Sequence, residues 1–267
     1  MMTRFVKDPG QARRLRQAFA APAFLDLRTL AVTFDSDPAV IAALLPPPLL
    51  PAETPRVSVA ISEIGRSNCA GPFHAAAVNV ACQFEGREGV YCLSMPMSTD
   101  TAVIFGRELY AEPMKLAEIH LEQRSGGHVR GTVTRRGITV IEVRARFEDG
   151  FYESGAERET RHYSFKYLPS ADGNGFAHSP ELVEVTHRAA VHRTVRGTGT
   201  LTFRESCHDP PIDIPVLSVT GVSLSEADLH TSAREVVTVD PAAFAPYAFT
   251  KYDNLTVWAE APTPLTP

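Results

Sequence analysis

Short stretches of alternating apolar and polar residues run through most of the chain. Val57, Val59 and Ile61 alternate with Ser58, Ala60 and Ser62, the period-two pattern of a half-buried strand. Leu25 and Leu27 alternate with Asp26 and Arg28, after which the apolar phase moves to Leu30, Val32 and Phe34. That shift predicts one strand over Leu25–Phe34 with a bulge inside it. Phe73–Phe84 and Val90–Met95 predict a hairpin around Glu85–Gly89. Further strands are expected at Leu116–Gln123, Val129–Thr134, Ile138–Phe147, Tyr163–Tyr167, Leu182–Val195, Thr200–Arg204 and Pro215–Val222. Gly126-Gly127, Arg136-Gly137 and Asp172–Gly175 mark turns.

Three helices interrupt this pattern. Asp8–Phe19 is amphipathic, with Leu15 and Phe19 on its apolar side. Asp37-Pro38 supplies an N-cap and a first-turn proline for a helix through Leu45, and Pro46–Pro48 stops it. Ser98-Thr99-Asp100 caps a helix running to about Tyr110 and halted near Pro113. Many short strands, frequent turns and few helices predict a mainly β (α+β) fold, a closed or nearly closed antiparallel barrel. A wide enough barrel carries a ligand cavity. Residues 1–267 are expected to form one domain, with 1–21 as a helical arm and 255–267 as a tail.

Charge narrows the class of partner. Lys plus Arg total 26 against 31 Asp plus Glu, a net charge of −5. This balance predicts neither nucleic acid nor an anionic membrane as partner. The four cysteines, Cys69, Cys82, Cys92 and Cys207, have no C-x-x-C spacing and no metal spacing with histidine, so a reduced, cytoplasmic protein without a metal is expected. His187 and His192 are five apart, poor spacing for one strand face. Only Lys7, Lys115, Lys166 and Lys251 are available for amine chemistry.

Gly106–Leu116 reads Gly-Arg-Glu-Leu-Tyr-Ala-Glu-Pro-Met-Lys-Leu. This block resembles the signature of the acetoacetate decarboxylase-like superfamily, in which a Gly-Arg-Glu helix end runs through a proline to a Schiff-base lysine. Thr33–Leu49, Gly71–Gly86 and Tyr163–Pro169 resemble other parts of that family in outline, so the similarity spans roughly Pro22 to Asn254. Two departures stand out. Pro113 is followed by Met114 and Lys115 rather than by two lysines, and Ala75 occupies the position of the family glutamate. The family's first-strand arginine falls near Arg28, one residue out of register.

The resemblance implies a homo-oligomeric, cofactor-independent lyase acting on a small oxo acid or related carbonyl compound. Lys115 would form the imine, and Glu112 or His74 would move protons. Met114, Ala75, Arg28, Glu63, Arg107 and Tyr110 would line the pocket. Hydratase, dehydratase or aldolase chemistry fits these departures better than decarboxylation of acetoacetate. A nucleophilic lysine must be neutral, and lowering its pKa by four units takes about 5 kcal/mol. In acetoacetate decarboxylase itself a neighbouring cation contributes to this, an established case rather than a deduction from this chain.

Strand parity bears on the same residue. If Lys115–Gln123 were one regular strand, Lys115 would share the apolar face of Ala117, Ile119 and Leu121 and point inward. The family register instead gives the inward place to Met114. Two alternatives stay open: an enzyme on the same scaffold that forms no imine and takes a bulkier apolar substrate, and a non-catalytic small-molecule-binding protein.

Overall fold

The computed structural model describes residues 3–148, 152–153 and 155–259. Ala261–Pro267, expected as the end of the tail, lie outside the described residues. The strands in chain order are β1 (Ala23–Asp35), β2 (Leu50–Pro51), β3 (Arg56–Ser67), β4 (Phe73–Phe84), β5 (Arg87–Met97), β6 (Met114–Leu116) and β7 (Glu118–Gln123). They continue as β8 (His128–Arg135), β9 (Ile138–Arg146), β10 (Tyr152–Glu153), β11 (Ala156–Lys166), β12 (Glu181–Arg196), β13 (Thr198–Phe203) and β14 (Ser218–Thr238). The main helices are α1 (Pro9–Ala20), α2 (Pro38–Leu44) and α3 (Asp100–Leu109). Their N-caps are Asp8, Asp37 and Thr99, each side chain accepting from a first-turn N–H as its residue type predicts.

Strands β4, β3, β1, β14, β12, β11 and β5 follow one another around a ring, and β4 pairs with β5 to close it. The closed barrel expected from the alternation is therefore present, and it has seven strands. All its pairings are antiparallel except β11 with β5. The bulge expected between Arg28 and Leu30 lies earlier in β1, between Phe24 and Leu27, where Asp26 adopts a φ of 56°, and the register against β14 shifts again between Thr33 and Phe34.

A second antiparallel sheet, in the order β13-β9-β8-β7, covers one wall of the barrel from outside. Gly131 on β8 approaches so closely that a Cβ there would lie 2.7 Å from Ile61 Cδ1. Leu30, Val32, Val57, Val59, Val78 and Val80 from the barrel pack with Ile119, Leu121, Val133 and Val143 in this layer. Most of the apolar core thus lies between the sheets and not in the barrel lumen. Among the described residues, no helix is long and apolar enough to cross a membrane.

The segment expected as one strand over Leu116–Gln123 is two. Strand β6 runs parallel to β5 in the barrel sheet, and β7 belongs to the covering sheet, with Ala117 as the crossing point. Strand β14, expected to end at Val222, continues to Thr238 because β1 and β12 pair with it on either side.

Candidate active site

The barrel encloses a cavity of about 390 Å3, within the range of small-molecule sites. Its apolar wall includes Phe24, Leu27, Phe73, Met97, Ala102 and Phe105, the last two from α3. The polar lining comes from Asn79, Tyr110, Glu112, Arg158, His162 and His187, with Thr29, Ser62 and Ser225.

The exit from α3 places two of these groups. The N–H groups of Tyr110 and Glu112 both donate to the Gly106 carbonyl, at 3.0 and 3.3 Å. Between them Ala111 takes a φ of 61°, a left-handed conformation that usually belongs to glycine at a helix end. This bend delivers both side chains into the cavity. Met114 follows, its N–H donating to the Glu112 carbonyl at 2.8 Å. A Cβ on Gly106 would stand 2.1 Å from Met114 Cε and 2.9 Å from Glu112 Oε2, so the motif glycine leaves room for both.

Glu112 is 3% exposed. Burial pushes its pKa up to about 8, partly opposed by the charge of Lys251. Between the ordinary value of 4.5 and about 8, the folded chain therefore binds more protons at this site than the unfolded chain. Stability falls as pH rises through that window. Glu112→Gln is expected to flatten the decline and to gain a few kcal/mol over the native chain near pH 8. Urea midpoints measured near pH 5 and near pH 8 check this.

His162 and His187 stand on adjacent strands with ring centroids 4.4 Å apart and planes at 87°. Burial holds His187 down at about 4, and burial together with the neighbouring His187 ring holds His162 well below its ordinary range. Both are neutral at pH 7. Burial, with a smaller contribution from Glu112, raises the Tyr110 phenol above its ordinary value, so it remains an O–H donor. Among the described residues, no group of three or more His, Cys, Asp or Glu gathers as a metal site.

Several expected site residues lie elsewhere. Lys115 does not reach the cavity. Its Nζ donates to Asp209 Oδ1 at 3.0 Å and the His208 carbonyl at 3.1 Å, with Asp253 Oδ1 at 3.6 Å. The break at Ala117 is the reason: the apolar face of Ile119 and Leu121 packs between the sheets, so parity counted from them does not point into the lumen. Met114 occupies the inward position instead. His74 sits between Phe73 and Ala75, which line the cavity, and so faces the other way. The same alternation turns out Arg28, between Leu27 and Thr29, and Glu63, between Ser62 and Ile64. These two are directly paired and form an ion pair at 2.9 Å outside the lumen. Arg107 is also outside, donating to the Lys251 carbonyl at 3.3 Å beside the Tyr252 ring. Glu112, Met114, Ala75 and Tyr110 do line the cavity.

Asn79, Arg158, His162 and His187 were missed as site residues. The usable signal was parity: Thr160, His162 and Ser164 alternate with Tyr163 and Phe165, whose aromatic face turns out of the lumen. Lys251, one of the four lysines available for amine chemistry, was given no place at the site. It is 7% exposed, and burial and Arg107 lower its pKa to about 8. Its Nζ donates to the Phe165 carbonyl at 3.2 Å and lies 4.2 Å from the Tyr167 ring centroid, behind the wall that carries Pro113.

Comparison with known proteins agrees with this scaffold. The profile of the family described as acetoacetate decarboxylase (ADC) matches residues 9–239. Acetoacetate decarboxylase of Ralstonia nicotianae is 25% identical over 221 residues, covering 80% of this chain and 87% of that protein. The Burkholderia multivorans enzyme is 26% identical over 218 residues, with the same coverage. The Legionella pneumophila acetoacetate decarboxylase structure superposes with a TM-score of 0.74 at 18% identity, over 82% of this chain and 88% of that one. The enduracididine biosynthesis enzyme MppR complexed with pyruvate gives a TM-score of 0.67 at 17% identity, over 81% and 91%. This chain belongs to the acetoacetate decarboxylase family.

Proposed function

We propose that this protein is a cofactor-independent lyase that moves a proton at the carbon α to the carbonyl of an uncharged, largely apolar compound, without forming an imine. The observation that carries this reading is the exchange of roles within Pro113-Met114-Lys115. A thioether faces the cavity, while the only amine of the motif is tied to Asp209, Asp253 and a backbone carbonyl outside it. A carboxylate substrate would enter a lumen whose Met114 and Ala75 are apolar and whose two imidazoles are uncharged, and Arg158, the one lysine or arginine among the described lining residues, already has a partner. An unpaired charge in such a place is costly.

Glu112 supplies the acid-base group. A carboxyl with a pKa of about 8 accepts a proton in its ionised form and returns it in its neutral form near neutral pH. The Tyr110 hydroxyl, which has no protein partner among the described residues, would donate to the substrate oxygen as the enolate develops. This enolisation step is common to dehydration and retro-aldol cleavage.

Deuterium exchange at the α-carbon tests the proposal without knowledge of the natural substrate. In D2O, proton NMR should show protein-catalysed exchange of apolar ketones such as benzylacetone, unaffected by Lys115→Ala. Borohydride added with pyruvate or acetoacetate should leave the intact mass unchanged. A reduced lysine adduct, or exchange confined to the oxo acids, would sink the proposal.

A further inference from the structure

The whole-chain charge of −5 conceals a separation of charge along the sequence. Residues 3–20 hold five of the 26 basic residues, Arg4, Lys7, Arg13, Arg14 and Arg16, and one of the 31 acidic ones, Asp8. This arm therefore carries +4, and the remainder, with 21 basic against 30 acidic residues, carries −9. Among the described residues none of the five cations forms an ion pair, and Lys7 Nζ donates to the Arg4 carbonyl at 2.7 Å.

The same segment leaves its apolar side chains in the open. Helix α1 buries none of its residues. Phe5 is 96% exposed, and Val6, Leu15 and Phe19 are exposed as well. Leu15 and Phe19, four apart, share one face of α1, with Arg13 and Arg16 to one side of it and Arg14 to the other. Phe19 meets Phe105, a ring of the cavity wall, edge to face at 5.6 Å, and half of its surface still stays in water. The helix is formed before any partner arrives. Asp8 and Gln11 exchange side-chain to backbone hydrogen bonds at 2.8 and 3.1 Å, and Asn68 donates to the Ala21 carbonyl at 2.9 Å.

An amphipathic helix that combines exposed phenylalanine and leucine with cationic flanks fits the surface of an anionic bilayer. Four of the five cations are arginines, whose planar fork pairs with phosphate. Clefts on a second copy suit them less. One is lined by Arg124, Arg130 and Arg144 and another by Lys166, Arg234 and Glu235, so the side chains lining each sum to a positive charge. The acidic remainder does not prevent approach to a membrane. At physiological salt the Debye length is about 8 Å, well below the length of α1 at about 18 Å, so a bilayer touching the arm meets mainly the arm's own charge. We infer that residues 3–20 form a docking arm for anionic phospholipid surfaces. Docking is independent of the chemistry in the lumen.

Co-sedimentation of the whole chain with vesicles tests this. In 0.1 M salt the native chain should partition onto phosphatidylcholine vesicles containing 30% phosphatidylserine on the order of a hundredfold more strongly than onto pure phosphatidylcholine. Arg13→Gln, Arg14→Gln and Arg16→Gln together should weaken partition by a similar factor, at about fivefold per cation. Phe5→Ser with Leu15→Ser should cost about tenfold through lost apolar burial. Because α1 buries no residue, urea midpoints of these variants should stay native, so lost binding reports the surface and not the fold. Equal partition onto the two vesicles, no sedimentation with either, or binding that survives the three arginine substitutions would overturn the arm's role. So would sedimentation velocity in which those substitutions dissociate an assembly that does not bind vesicles, since the arm would then serve a second copy.

Discussion

Glu112→Gln is expected to slow α-proton exchange of an apolar ketone by about 10²- to 10⁴-fold, the usual contribution of a positioned acid-base group. Glutamine preserves the shape of the side chain and its place beside Gly106, so a loss of this size reports the missing proton acceptor and not a collapsed cavity. The pH profile separates the two further. The ionised carboxylate takes the proton, so the native rate should rise about tenfold per pH unit and level off near the Glu112 pKa of about 8. The glutamine variant should lose that limb. Tyr110→Phe should cost about 10²-fold, as removal of one donor to a developing oxyanion does, and keep the limb in place. A Glu112→Gln variant with native exchange rates would remove Glu112 from the mechanism.

Arg135→Leu is expected to cost about 3–5 kcal/mol of stability, the loss that follows when one member of a buried ion network is removed. The Arg135 side chain is 9% exposed and lies between two carboxylates. Its Nε donates to Asp209 Oδ2 at 2.7 Å, and its two terminal nitrogens donate to Asp253 and the Leu116 carbonyl. Arg136 joins from the same turn, with Asp253 Oδ2 at 2.6 Å. Together with Lys115, these cations tie the segment before β14 and the C-terminal segment at Asp253 to the β6–β7 crossing. Urea midpoints of the variant and native chains give the difference, and a shift within error would show that the network adds nothing. Lys115→Met removes one tie from the same network. It should shift the midpoint in the same direction and leave the exchange rate alone, which separates the architectural role given to Lys115 here from the catalytic one its position in the motif suggests.

Much of this architecture was legible in the chain itself. Period-two alternation located most of the strands, because each barrel strand has two faces in different surroundings. Asp8, Asp37 and Thr99 announced the three main helices, because the unpaired N–H groups of a first turn need a side-chain acceptor. The phase change after Arg28 announced a bulge in β1, which the structure has a few residues earlier at Asp26, and Gly106–Leu116 carried the family. Glu112 and Tyr110 were within reach for the same reason: the motif places both at a helix exit.

Alternation separates two faces but does not say what each one meets, and tertiary structure decided that. In β1, β3 and β4 the strongly apolar face packs under the second sheet, and the face of alanines, serines and threonines turns to the cavity. A reading that sends apolar residues inward and polar ones to water therefore inverts the wall. That reading leaves His162 and His187 out of the lumen, whereas Arg28, Glu63 and His74 were expected there from the family resemblance and face away from it. The fate of Lys115 turned on one residue, since a strand that changes sheets at Ala117 breaks the parity count. No local pattern encodes that crossing, because the hydrogen bonds that create it come from Met97 and from β8, far away in the chain.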